Sequence, residues 1–166
     1  MIEMKRLLAI PFAVATFGAV GSSPLLAVQP STDEALIVAT AEAALEAVSN
    51  EDMIALTDLM IEGAIAVSVS EREGTLRHSA RTRSEERSRT FEEDIVERGF
   101  DPEVRISGPV ASVWLPYDLY VDGEWSHCGV DVFTLIKTND GWKIASLVWS
   151  AEQPPACREH PDGPPN

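Results

Sequence analysis

Asp118, His127 and Asp131 are the residues whose types and spacing could move a proton in this chain. Asp118 and His127 lie on either side of Asp122-Gly123, a two-residue turn signal flanked by aromatic and β-branched residues. Pairing Val121 with Glu124 across that turn sets Asp118 opposite His127, Trp114 opposite Asp131 and Tyr120 opposite Trp125. A carboxylate beside an imidazole raises the imidazole pKa and fixes its tautomer, which suits general acid–base work. Asp131, further along the same face, would then act as a base or hold a polar ligand group. The same three residues would equally make an ion pair on a solvated or dimer-forming face that catalyses nothing. In a chain with 27 acidic residues the second reading is the default.

The register divides the two strands into faces. One carries Trp114, Pro116, Asp118, Tyr120, Trp125, His127, Asp131 and Phe133. The other carries Val113, Leu115, Tyr117, Leu119, Cys128, Val130, Val132 and Ile136, and is the natural surface for helices. The first mixes apolar walls with a few polar groups, as a ligand pocket does, or as a subunit interface does. Trp114, Tyr120, Trp125, Phe133 and Trp149 are its candidate pocket residues. A one-residue bulge near Gly129 would undo the division. Around Asn139-Asp140-Gly141, a three-residue loop with Gly141 left-handed puts Leu147 and Trp149 on the aromatic face. A two-residue loop puts Ile144, Ser146 and Val148 there.

The elements that must position these groups follow from periodicity and punctuation. Ser31-Thr32-Asp33-Glu34 is a capping box opening an Ala-rich helix to about Val48. Ser49-Asn50 ends it and can cap a shorter helix over Asp52–Met60, which Gly63 stops. Ala64–Val69 reads as a strand, Glu73-Gly74 as a turn and Thr75–Ser79 as a short strand. Thr82-Arg83-Ser84-Glu85 is a second capping box. The helix it opens would run to about Arg98, burying Phe91 and Ile95, with Gly99 and Pro102 preventing its extension. Arg72, Arg77, Arg81, Arg83, Arg87 and Arg89 crowd this stretch, interleaved with Glu71, Glu73, Glu85, Glu86, Glu92 and Glu93. They read as an ion-paired helix face, or alternatively as a basic rim around a pocket mouth. Val104–Ile106 begins the sheet region, and the block up to Ser150 is a three-strand antiparallel meander. Helices first and strands last is an α+β order.

The chain has 166 residues and a net charge of −14. Lys5 and Arg6 precede an apolar run from Leu7 to Val20, then small residues to Ala27, the layout of a secretory signal. Cleavage after Ala27, or next best after Gly21, is expected; the run is short for a membrane span. Losing residues 1–27 removes Glu3, Lys5 and Arg6 and makes the remainder one unit more negative. Such acidity argues against nucleic acid and anionic membrane as partners. The expected organisation is a signal over 1–27, one domain over 28–153 and a Pro-rich tail over 154–166. Export to the periplasm or medium makes a Cys128–Cys157 disulfide the expectation, because pairing in the last hairpin brings Cys128 opposite residues 151–153. No spacing suggests a metal site, and no cofactor is implied.

Asn50-Glu51-Asp52-Met53-Ile54-Ala55-Leu56 and Asp140-Gly141-Trp142-Lys143-Ile144, set in this order of elements, resemble the NTF2-like superfamily, which includes SnoaL-like and ketosteroid-isomerase-like proteins. Ser126-His127-Cys128-Gly129-Val130-Asp131 is similar to an exported branch of it. The resemblance spans about residues 33–150. It implies a cone of curved antiparallel sheet wrapped around a pocket, often in a homodimer. Tyr117 or Tyr120 with Asp131 could imitate part of an isomerase oxyanion hole, but the positions do not match that motif residue by residue and no catalytic role transfers. Superfamily membership does not fix function. The expected role is binding of a small, partly apolar molecule, or dimeric interaction, without catalysis. The alternative is proton transfer or hydration by His127, Asp118 and Asp131.

Overall fold

The structure, a computed structural model, describes residues 32–165. The proposed signal and Ser31, the first residue of the first capping box, fall outside the described residues. Helix α1 (Thr32–Ser49) is rich in alanine, the best helix former. It buries Ile37, Ala41, Ala44 and Leu45, a stripe at helical spacing. The short α2 (Met53–Asp58) is capped by Asp52, whose carboxylate accepts the Ala55 N–H at 2.8 Å. Ser49 and Asn50, the expected caps, are not used for this. The Ser49 hydroxyl instead exchanges hydrogen bonds with the backbone of Glu97.

Seven strands follow: β1 (Met60–Arg72), β2 (Thr75–Thr82), β3 (Ile95–Gly99), β4 (Glu103–Ser107), β5 (Val110–Val121), β6 (Glu124–Thr138) and β7 (Gly141–Ala151). They form one sheet in the order β2-β1-β7-β6-β5-β3, with β4 also paired to β5. Only the β1–β7 pairing is parallel. The fold is α+β, helices followed by a curved sheet, and the meander β5-β6-β7 is present as expected. The helices cover its inner face, where Ile37, Ala41, Ala44, Leu45 and Leu56 join Val113, Leu115, Phe133, Leu135 and Ile144 in one core.

Two elements differ from the sequence expectation. The capping box at Thr82 and Glu85 forms, but α3 is a single turn, Arg83–Arg87. Ser88 folds its hydroxyl back onto the Ser84 and Glu85 carbonyls, ending the helix. Ile95-Val96 is β-branched, and Ile95–Gly99 pairs with Tyr117–Val121. A helix there would have left that stretch of β5 without a partner. The second difference is at Gly63. It does not stop a helix but sits inside β1 at φ +85°, where the β1–β7 register slips.

The last segment is docked. Glu152 bridges Cys128 in the sheet, and Cys128 is disulfide-bonded to Cys157, with Cα atoms 5.8 Å apart. Arg158, Glu159 and His160 then run along the outer face of the sheet, meeting Phe100, Tyr120 and Asp118.

Candidate functional site

The arrangement of the site turns on one residue. Val121 pairs with Glu124 and Tyr120 with Trp125, as the Asp-Gly turn requires; Asp122 and Gly123 both have positive φ, +51° and +80°. The next pair is Leu119 with His127, so Ser126 is a bulge. From there every residue of β6 faces the opposite side from the one expected. The anticipated slip near Gly129 thus occurs earlier, at Ser126. Asp118 is opposite Cys128, and Asp131 is opposite Leu115. Asp118 and His127 lie on opposite faces, and the Asp118–His127 pair does not exist.

Asp118 is fully buried on the outer side. It takes two hydrogen bonds from Arg98, at 3.1 and 2.6 Å, and a third from the His160 N–H at 2.9 Å. It is a structural anchor for the tail. Tyr120, also outside, donates its hydroxyl to Glu159. Trp114 is half exposed on the same face. Trp125 is opposite Tyr120, its indole N–H buried without a protein acceptor among the described residues. Phe133 is inside but fully packed in the core. Of the expected site residues, His127, Asp131 and Trp149 share a cavity.

The last hairpin decides the place of Trp149. Thr138 pairs with Gly141 across a two-residue loop, yet Gly141 is left-handed at φ +101°. A further slip around Ala145 then lets Ile144 and Leu147 share the inner face, with Trp149 beside Asp131. Both sequence alternatives are thus partly realised, joined by a bulge that the sequence reading lacked.

The cavity has a volume of about 240 Å³ and lies between α1, α2 and the inner face of the sheet. Its walls are mainly Leu45, Leu56, Ile95, Leu119, Leu147 and Trp149, interrupted by His127, Asp131, Glu97, Glu86 and Arg89. Asp131 is buried and its Oδ2 has no hydrogen-bond partner among the described residues. Burial, and secondarily the Glu97 charge, push its pKa well above the ordinary carboxylate range, toward the neutral form. Burial also raises Glu97 to about 8, against the opposing pull of Arg89. Burial lowers the His127 pKa and leaves a neutral ring, 3.1 Å from the Ser126 hydroxyl and edge-on to Tyr117. Tyr117 is held far above its normal pKa, first by burial and then by Asp131 and Glu97. It donates to the Ser150 carbonyl at 2.8 Å, passing over its cross-strand partner Gly129. A Cβ on Gly129 would lie 2.1 Å from that same carbonyl oxygen, so only glycine fits.

Glu97 and Glu86 are the site residues that the sequence reading missed. The sequence predicts Glu97 in a helix that does not form; the alternation Ile95-Val96-Glu97 before a glycine is the available signal for a strand. Ser49 fixes it, accepting the Glu97 N–H at 2.8 Å and donating to its carbonyl at 3.1 Å. Glu86 is buried and bridges Arg81 and Arg89, whose guanidinium groups lie over Trp149 and Phe91. Arg83 and Arg87 pair with Asp58 of α2. Arg81, Arg83, Arg87 and Arg89 of the cluster are thus ion-paired, mostly between elements rather than along one helix. The described residues contain no group of three or more acidic, His or Cys side chains able to hold a metal.

The fold has close counterparts among solved structures. A protein proposed to be an aromatic ring hydroxylase from Novosphingobium aromaticivorans is 18% identical, with a TM-score of 0.56 over 76% of this chain and 94% of that one. An NTF2-like protein with a cystatin-like fold from the same organism is 12% identical, with a TM-score of 0.56 over 72% and 81%. A ketosteroid isomerase-like protein from Erwinia carotovora atroseptica is 19% identical, with a TM-score of 0.54 over 74% and 98%. No family model and no curated protein matches the chain. At these identities the likeness is one of fold: this chain has the NTF2-like, cystatin-like fold.

Proposed function

We propose that this chain is an exported binding domain whose cavity holds a small, partly apolar molecule with a hydrogen-bond acceptor at one end, without catalysing its reaction. The observation that carries this is Asp131. A buried carboxyl, pushed toward its neutral form and with an oxygen that lacks a partner among the described residues, on the wall of an apolar cavity, is a group whose partner is brought by a ligand. Isothermal titration calorimetry against a panel of aromatic alcohols, ketones and acids tests it. Saturable heat is expected with at least one of them, and is expected to vanish in Ala66→Leu, which fills the cavity from β1. A panel giving no saturable heat with the native chain would end the binding reading. Export is supported by the leader-like start of the sequence and by the disulfide. No helix among the described residues is long and apolar enough to cross a membrane.

A catalytic reading is favoured by Glu97. A carboxyl held to about 8 beside the buried Asp131, whose pKa is also raised, offers a base and an acid in one water-poor space. The pair would be Glu97 and Asp131, with Asp118 excluded by its place on the other face. Deuterium exchange at the α-carbon of a bound ketone, followed by NMR, checks this; equal rates in the native chain and Glu97→Gln would dismiss it. A homodimer is supported by the outer face. Trp114, Val132, Val148 and Val67 are successive cross-strand partners there, an uncharged row that leaves Trp114 51% exposed. Sedimentation equilibrium reads the mass directly, and a monomer at high concentration would contradict the dimer.

A further inference from the structure

We propose that the molecule bound in the cavity is a small monocarboxylate, its apolar body among Leu119, Val121, Leu147 and Trp149 and its carboxylate on the guanidinium of Arg89. This rests on the reading of the cavity as a binding site and names its ligand class, with the charged end of the ligand at Arg89 rather than at Asp131. Arg81 and Arg89 grip opposite oxygens of the buried Glu86 carboxylate, at 2.5 and 3.0 Å. Arg81 and Arg89 share the Glu86 carboxylate, and Arg81 also faces the charge of Glu85, so Arg89 is the cation left only partly neutralised at the cavity wall. Arg89 lines the cavity, and a third of its side chain is still accessible. A guanidinium has five N–H donors in a planar fork. Among the described residues only Nη1 of Arg89 meets a protein acceptor. Phe91 backs the group, its ring centre 4.6 Å away, and so limits its direction. A carboxylate is the acceptor that matches this fork in both charge and plane.

The other polar groups in the cavity are pushed toward their uncharged forms. Burial raises the pKa of Asp131 from β6 and that of Glu97 from β3, the latter to about 8, and lowers that of His127 from β6. Glu86 from α3 is already offset by its two arginines. A neutral ketone or alcohol would satisfy Asp131 but leave Arg89 only partly neutralised in a low-dielectric wall. The net charge of −14 on the whole chain repels anions at long range, so the selection is local to the cavity.

Calorimetric titration with hydrocinnamate and with hydrocinnamyl alcohol, which share one apolar body, tests the assignment. Below pH 7 the acid is expected to bind at least about tenfold tighter than the alcohol, the effect of one charge-assisted hydrogen bond. In Arg89→Gln the acid-to-alcohol ratio is expected to fall to about one. The proposal is overturned by an alcohol that binds as tightly as the acid, or by a variant that keeps the preference. An alcohol that binds where the acid does not leaves the binding reading standing and removes the carboxylate; no heat from either ligand removes both. Should Arg89→Gln not fold, the native chain decides the matter. Its affinity for the acid is expected to drop about tenfold as Glu97 ionises near pH 8, while that for the alcohol changes less; an acid affinity flat to pH 9 overturns the proposal.

Discussion

Replacing Glu97 by glutamine should flatten the dependence of stability on pH. In the unfolded chain this carboxyl titrates near 4.5, and in the folded chain near 8. Below 4.5 both states hold the proton, and folding is not opposed by this group. As pH rises from 4.5 to 8 the unfolded chain releases the proton while the folded chain keeps it. The unfolded state then binds fewer protons, so stability falls with rising pH, at a limiting slope of about 1.4 kcal/mol per pH unit. Across the whole window this amounts to about 4–5 kcal/mol, a large part of the stability of an ordinary domain. Glutamine keeps the shape of the side chain and does not titrate. Equilibrium urea denaturation with the disulfide intact, followed by circular dichroism between pH 4.5 and pH 9, gives both curves. The two proteins should be about equally stable at the acid end, and Glu97→Gln more stable by about 4 kcal/mol at the alkaline end. A residual slope is expected from Asp131, which titrates in the same sense. Parallel curves for the two proteins would refute the placement of Glu97 in a water-poor cavity.

Three further outcomes are expected. Gly129→Ala sets a Cβ 2.1 Å from the Ser150 carbonyl oxygen, and the strands must part to admit it. The cost should be about 3 kcal/mol or more in urea denaturation; a change within about 0.5 kcal/mol would show that the close approach is not real. Asp118→Ala removes a buried acid and leaves Arg98 without its partner, for about 3–5 kcal/mol; a loss under about 1 kcal/mol would contradict an anchoring role. Reduction of Cys128–Cys157 should lower stability by about 2–4 kcal/mol. It should also release the backbone N–H of His160, bound to Asp118, to fast hydrogen exchange. Unchanged protection at His160 would show that the docking of the tail does not depend on the disulfide.

The outline of the fold could be read from residues that leave strong local marks. Asp122-Gly123 and Asn139-Asp140-Gly141 announce tight turns, and the cysteines could be matched once the last hairpin was set. The Asn50–Leu56 and Asp140–Ile144 segments carried the resemblance that the solved structures agree with in fold. What was not legible was parity. Ser126 and Ala145 are ordinary strand residues with nothing in their type to mark a bulge, yet each reverses the facing of all that follows until the next slip. The expected face of Asp118 and His127 failed for that reason alone, while Asp131 reached the cavity through the slip at Ser126 and Trp149 through that at Ala145 as well. Glu97 was hidden differently. A strong capping box at Thr82 suggested a long helix, but the need of β5 for an edge partner overrode the local preference after one turn.

The Ser49 hydroxyl that positions Glu97 has a second effect, on self-association. Strand β3 lies at one border of the sheet, where unpaired N–H and C=O groups would template the addition of a foreign strand. By taking up both backbone groups of Glu97, Ser49 blocks the middle of that border, and α1 packs against it. The opposite border is β2, where Arg77 stands on an exposed strand and would meet its own counterpart on another copy of the same edge. A serine at the end of one helix and an arginine at the far side of the sheet thus divide between them the guarding of the sheet's two borders against strand addition.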